Sequence, residues 1–498
     1  MAEITGARPE LTAQPDAEAP ESNRWWVLAV VGLAQLMVVL DATIVNIALP
    51  SAQRDLGFSN ADRQWIVTAY ALGFGGLLLL GGRLSDLLGR RRTFLIGLVG
   101  FAGASAFGGA ATGFAMLVIA RAVQGAFGAL LAPSALSILT VTFTRPDERG
   151  KAFGVYGAIA GAGGAVGLLL GGILTEYLSW RWCLYVNVFI AAVALVGALR
   201  LLVNQPRNPD VRIDGPGTVL AVTGLVSFVY GLSEAETQGW GAPVTVALIA
   251  CGVILLVGFV LVEQRVDHPL LPLRVVLDRN RGGSYLAIGF TSVAIFGIFL
   301  FLTYYMQLTL RYSPVKTGLA FLPMVAAIIV ASTASTAALL PRTGPRPLIP
   351  LGMLTAAGGM ALLRQIGVNT TYVSGLLPGL ILVGLGLGLV FGCALNTATA
   401  GTRQEDAGVA SAMVNTTQQV GGSIGTALLN TIAASALSSY LVAHRHIPGV
   451  LSQASVHSYT VAFTVVLGIF VAGAIVSALV LPSGVPRPAP AEAAVAVA

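Results

Sequence analysis

The amino-acid sequence predicts an all-α integral membrane protein with about fourteen transmembrane helices, grouped six, two and six. Two observations carry this. Only 10% of the 498 residues are charged, 55% are hydrophobic and 60 are glycine, an alphabet that cannot cover a soluble domain. Apolar runs of roughly 20 residues, the length needed to cross a bilayer core of about 30 Å, follow one another with short polar turns between them. In hydrocarbon the backbone must satisfy itself, so each run is a helix.

The first 24 residues are rich in Ala, Pro and Glu and lack a basic leader, which marks a disordered tail and not a signal peptide. Spans beginning near Trp25, Gln64, Thr93, Phe114, Ala152 and Trp182 make a first six-helix unit, 25–202. A pair beginning near Gly217 and Ala242 lies with its linkers in 203–281, and the run from Gly217 to Leu232 is barely long enough to span. Spans near Gly282, Lys316, Pro347, Tyr372, Ala407 and Tyr459 make a second unit, 282–482, followed by a proline-rich tail, 483–498. The run from Ala407 to Ala443 is long enough to extend beyond the bilayer.

Counting basic residues by alternate loops sets the orientation. With the N-terminus inside, twenty of the 28 Lys and Arg fall in inner segments and seven in outer loops, and Arg121 alone falls within a span. Both termini are therefore expected in the cytoplasm, and topology accounts for the net charge of +6 without nucleic-acid binding. Lysine occurs only at Lys151 and Lys316 while Arg, Ala and Gly abound, which points to a high-GC, actinobacterial genome and hence a bacterial plasma membrane. Cys183, Cys251 and Cys393 are odd in number and each sits in an apolar run, so no disulfide framework is readable.

An ionisable residue deep in a span costs at least about 2.5 kcal/mol and marks a functional site. Asp41 lies eight residues before the outer end of span one, about 12 Å deep, and Arg121 seven residues into span four, about 10 Å deep. Similar depth lets the two pair. Either Asp41 takes up and releases a proton as its surroundings change, with Arg121 assisting, or the two form a permanent tie between helices.

Among uncharged polar residues, Gln124, Gln307, Asn396, Asn415, Gln418, Gln419 and Asn430 are either interhelical glue or part of a substrate path. The aromatics Phe296, Phe299, Phe301, Tyr304 and Tyr305 either pack or stack on a ligand. His444, His446 and His457 share an outer loop without carboxylate or thiol ligands, so solvation is expected there and no metal site. Glu234 and Glu236 end a span on the outer side and are expected to be solvated. Gly154, Gly163, Gly167, Gly171 and Gly172 place bare backbone on a face of span five, where a neighbour can approach or slide.

Three motifs remain. Gly82-Arg-Leu-Ser-Asp86-Leu-Leu-Gly89-Arg90-Arg91-Arg92 forms the turn after span two and has a degraded echo at Leu340-Pro-Arg-Thr-Gly-Pro-Arg346. Asp41-Ala-Thr-Ile-Val-Asn46-Ile-Ala-Leu49-Pro50 lies in span one, and Leu117 through Arg121 with Gln124, Gly125 and Gly128 in span four. Together they resemble the major facilitator superfamily, and within it the fourteen-helix drug:proton antiporters that export quaternary ammonium compounds and other drugs. Trp180-Arg-Trp182 with Asn187, and Tyr312-Ser-Pro314 with Gly318 and Pro323, are similar to further stretches of that family.

The resemblance implies a central path between two six-helix bundles, proton coupling through Asp41 and Arg121, and a charge network of Asp86, Arg90 and Arg91 that holds one conformation and breaks in the other. Span five departs from the family pattern, because Leu168 stands where antiporters carry proline, and the kink is either lost or left to glycine. The sequence thus reads as a proton-driven exporter of hydrophobic, cationic or neutral drug-like molecules, with a nutrient symporter as the alternative. No cofactor is implied, since a nucleotide-binding Gly-x-x-x-x-Gly-Lys loop is missing from the sequence. Nothing in it requires more than a monomer. An enzyme would cluster ionisable groups in its spans, and a membrane sensor would carry a signalling domain.

Overall fold

Long apolar stretches separated by a few polar or glycine residues can fold only as helices packed side by side, and the computed structural model has that form. It describes residues 21–58, 62–203, 214–266, 269–444 and 450–484. The terminal tails, Arg445 and His446 lie outside the described residues, as does the side chain of Glu236. The first unit comprises α1 (Glu21–Leu56), α2 (Arg63–Leu88), α3 (Arg90–Gly109), α4 (Phe114–Thr142), α5 (Pro146–Tyr177) and α6 (Trp182–Leu201). A pair follows, α7 (Gly215–Gln238) and α8 (Pro243–Glu263). The second unit comprises α9 (Arg279–Thr309), α10 (Val315–Thr343), α11 (Pro345–Leu363), α12 (Tyr372–Thr399), α13 (Ala407–Ala443) and α14 (Val450–Val480).

Among the described residues thirteen unbroken helices are long and apolar enough to cross a bilayer. The remaining span is α5, which bends by 43° between Glu148–Gly164 and Val166–Tyr177. The bend is therefore left to a glycine-rich stretch and survives without a proline at Leu168. The helices run further than their apolar cores. α14 begins at Val450 instead of near Tyr459, and α7 reaches Gln238, well past the end set by hydropathy at Leu232.

The two units repeat each other. Within the first, α1 packs on α4, α5 and α6, α4 on α2 and α3, and α3 on α6; in the second the same pairings recur eight helices later. The seams between the units are also paired, with α5 against α10 and α12, and α2 and α4 against α13. The weak sequence echo has a structural counterpart, since Gly89 and Gly344 turn the chain between successive helices at φ 92° and 74°. Only glycine adopts that backbone without strain. α7 packs on α2 and α13 at the edge of a seam, whereas α8 makes extensive contact with α7 alone and presents Val253, Ile254 and Val257 outward.

Candidate functional site

Asp41, Val45, Ala48 and Ala52 recur at helical spacing along one buried face of α1, which turns toward α4 and α6. On α4 the residues Leu117, Arg121, Gln124, Gly125 and Gly128 share one buried face. Gly125 and Gly128 let α2 close on α4: a Cβ at Gly125 would lie 2.8 Å from the Phe74 amide nitrogen. That approach sets the Tyr70 ring 4.3 Å from the Arg121 guanidinium carbon, a cation–π contact.

Asp41 is 0% and Arg121 2% exposed, and the two form an ion pair with Nη1 donating to Oδ2 at 2.6 Å. Arg121 also donates to Gln124 Oε1 at 2.6 Å, and through Nε to the Ile66 carbonyl at 3.3 Å. The other carboxylate oxygen accepts from Gln124 Nε2 and Asn187 Nδ2, both at 2.8 Å, while Gln124 Nε2 also donates to Ser105 Oγ at 2.8 Å. The carboxylate thus has three donors, one of them positively charged. Such saturation is what a buried charge requires, because removing one member of a buried pair costs about 3–5 kcal/mol.

A second cluster closes one end of the seam between the units. Asp86 accepts from the Gly408 amide at 3.0 Å, so its carboxylate caps the N-terminus of α13 in the opposite unit, where the helix dipole favours negative charge. Arg90 lies 3.9 Å from Asp86 and donates to Ser137 Oγ at 2.8 Å, and Arg91 donates to the Leu199 carbonyl at 3.2 Å. A Cβ at Gly82 would lie 2.6 Å from the Gly408 carbonyl oxygen, so glycine there lets α2 touch α13. On the α5 side, Arg149 donates to Asn396 Oδ1 at 3.2 Å and Thr399 Oγ1 at 2.9 Å, and Ser332 to the Gly154 carbonyl at 2.7 Å. Arg149 and Ser332 thus bridge the two units at the end that carries the signature turn.

The glycines of α5 split between two faces instead of sharing one. Gly163, Gly167 and Gly171 pack on Val39, Leu40, Thr43 and Ile44 of α1 inside their own unit. Gly154 packs on α10, joined by Gly157 and Gly161, which the sequence reading did not single out; a Cβ on Gly157 would meet Gly392 Cα at 3.0 Å. Gly172 is buried.

The residues proposed to line a substrate path scatter. Gln124 sits in the Asp41 cluster, Asn396 in the Arg149 bridge, and Asn415 donates to the Ser411 carbonyl of its own helix. Gln419 lies against Gly75 of α2 on the seam, Gln307 falls within a π turn at Tyr305–Thr309, and Tyr304 is 43% exposed. Such π turns interrupt the regular helix and often occur at functional positions. Glu234 is buried, contrary to its expected solvation. α7 continues past it, Ser233 bonds Thr68 of α2 at 2.8 Å, and Gln238 donates to its carboxylate. His444 and His457 flank the Tyr440 ring, and among the described residues no group of three or more ligands could hold a metal ion.

A model of the Major Facilitator Superfamily matches residues 31–426, from α1 into α13. The chain belongs to this superfamily. It is 52% identical over 482 residues to the puromycin resistance protein pur8 of Streptomyces alboniger, covering 96% of each chain. The cephamycin export protein CmcT of Amycolatopsis lactamdurans is 40% identical over 81% of this chain and 84% of its own length. The lincomycin resistance protein of Streptomyces lincolnensis is 32% identical over 86% of this chain and 88% of its own length. In three dimensions the human organic anion transporter MFSD10 is similar in fold, with a TM-score of 0.61 at 16% identity over 92% of this chain and all of its own.

Proposed function

We propose that this member of the superfamily exports hydrophobic, antibiotic-like molecules from a bacterial cell in exchange for protons, as a monomer with both termini in the cytoplasm. The observation that carries the reading is the sealed Asp41–Arg121 pair, a carboxylate whose bonded partners among the described residues come from its own six-helix unit. Protonating Asp41 discharges the pair and leaves Arg121 with the Gln124 and Ile66 oxygens alone. Two protonation states thus prefer two helix arrangements, which is the differential interaction that a driven conformational cycle needs. The contacts of Asp86, Arg149 and Ser332 close the end read as cytoplasmic in the arrangement described, the state in which an alternating-access exporter faces outward.

Relatives named for puromycin, cephamycin and lincomycin support export of antibiotics, and the variety of those names fits a path walled by apolar side chains that accept many shapes. The bend in α5 removes the reason for preferring a symporter. The test is proton-gradient-dependent efflux of a lipophilic cationic dye, and separately of puromycin, from cells carrying the wild type or Asp41→Asn. Export that stops on collapse of the gradient and in Asp41→Asn is expected. Undiminished export by Asp41→Asn would remove Asp41 from the mechanism, and accumulation by wild type would reverse the direction.

A further inference from the structure

We propose that protons reach Asp41 from the outer side through a vestibule inside the N-terminal unit roofed by Trp180, separate from the seam that carries drug; this rests on the antiport reading and orientation above. Between α1, α2, α4 and α6 lies a cavity of about 10 Å³, the space of about one water molecule. Val45, Ala48 and Ala52 of α1, Ile66 of α2 and Arg121 of α4 line it, and Trp180 reaches it from the loop between α5 and α6. Val45 is one helical turn from Asp41, and Ala52 lies about 16 Å along the helix toward the outer end.

The surroundings have the form of a lid. Trp180 is 5% exposed, and its Nε1 donates to Asp55 Oδ2 at 3.0 Å; the Asp55 side chain is 49% exposed. Arg181 donates to the same oxygen at 2.9 Å, stacks 4.7 Å from the Trp180 ring, and donates to the carbonyls of Gly109 at the end of α3 and Ala111 in the following loop. One indole, pinned on two sides by a surface ion pair, thus joins Leu49, Leu117 and Leu184 in walling the cavity.

The cavity is lined with apolar surface, so a water inside lacks the two to four partners that would hold it. A dry constriction of this kind passes water when it widens and blocks it otherwise. The described surroundings of Asp41 lie on this side and not toward the seam. The charged and titratable groups around Asp41 are Arg121, Tyr70 and Cys183, and the polar ones Gln124, Asn187 and Ser105, all in the N-terminal unit. On the side of α1 toward the seam, α5 is closed down onto it through Gly163, Gly167 and Gly171.

The test uses the full-length protein with Cys183, Cys251 and Cys393 replaced, in right-side-out vesicles, adding Ala48→Cys or Ala52→Cys and probing with silver ion from outside. Each variant's gradient-driven dye efflux is normalised to its own rate before silver. Loss of efflux in both variants but not in the parent is expected, with saturating dye giving no protection and Trp180→Phe speeding the loss several-fold. Silver that leaves both active variants untouched, or dye that protects them, would overturn the separate route. A parent that shows no gradient-driven efflux before silver would overturn the antiport reading, and the route with it.

Discussion

Asp86→Asn removes one charge and keeps an oxygen that can accept from Gly408, so it isolates the electrostatic part of the contact between the units. A carboxylate at a partly buried helix N-terminus contributes about 1–2 kcal/mol. Because Gly408 belongs to the opposite unit, that amount is lost only when the seam is closed, and the closed state should lose roughly five- to thirtyfold in population. The Arg90 pair is different. Arg90 and Asp86 belong to one unit, so that pair does not itself bridge the seam in the arrangement described, and the direct contact across the seam is the one to Gly408. The assay is the labelling rate of Ser332→Cys, buried at the seam, by an impermeant maleimide in inside-out vesicles of cysteine-replaced protein. Roughly tenfold faster labelling is expected with Asp86→Asn. A lower melting temperature with unchanged labelling would mean that Asp86 acts within its own unit only, and that the helix-capping contact does not hold the seam.

Asp41→Ala should lower thermal stability by about 3–5 kcal/mol as well as abolish export, because it leaves Arg121 buried and uncompensated, whereas Asp41→Asn should abolish export with a much smaller stability loss; melting of purified protein separates them. Gly157→Val should raise Ser332→Cys labelling and slow efflux, since a Cβ there meets Gly392 Cα at 3.0 Å and the added methyls force α5 from α12. Leu168→Pro should cost less than the roughly 3 kcal/mol of a proline inside a straight helix, because α5 already bends by 43° a turn earlier; Val188→Pro in the unbroken α6 is the comparison, read by melting temperature.

The parts of the site that were legible in the sequence are those where physics sets a high price on misplacement. A charge inside hydrocarbon must be answered, so Asp41 and Arg121 stood out, and similar depth allowed their pairing. Ser105 and the role of Asn187 were not legible, because an uncharged polar residue in a span costs little and is common. Gln124 was singled out, but for the substrate path, and only packing of α4 against α1 shows that it serves the carboxylate. Glu234 was misplaced for a related reason. Hydropathy marks where the apolar run stops, near Leu232, and says nothing of α2 covering the following turn through Thr68. The bend in α5 follows from backbone freedom at several glycines together, which no single position announces.

The pairing of helices repeats between the units, but the chemistry does not, and that difference bears on mechanism. In α1–α6 an acid and a base lie deep in the interior. In α9–α14 every Asp, Glu, Lys and Arg lies within a turn or so of a helix end, and α12, α13 and α14 contain none. A repeated scaffold gives two equivalent seams, α2 with α13 and α5 with α10, that can open at one end as they close at the other. Symmetry of that kind makes the open and closed arrangements nearly equal in energy and gives no preferred direction. Direction has to come from a group that one arrangement holds charged and the other discharged. Placing that group in one unit lets the proton act on the packing of α1, α4 and α6 while the other unit supplies uncharged walls. A charge moved to the matching depth of α9 or α12 would meet no donor set like that of Arg121, Gln124 and Asn187, so the cost of burying it would fall on the fold and not on the transport cycle.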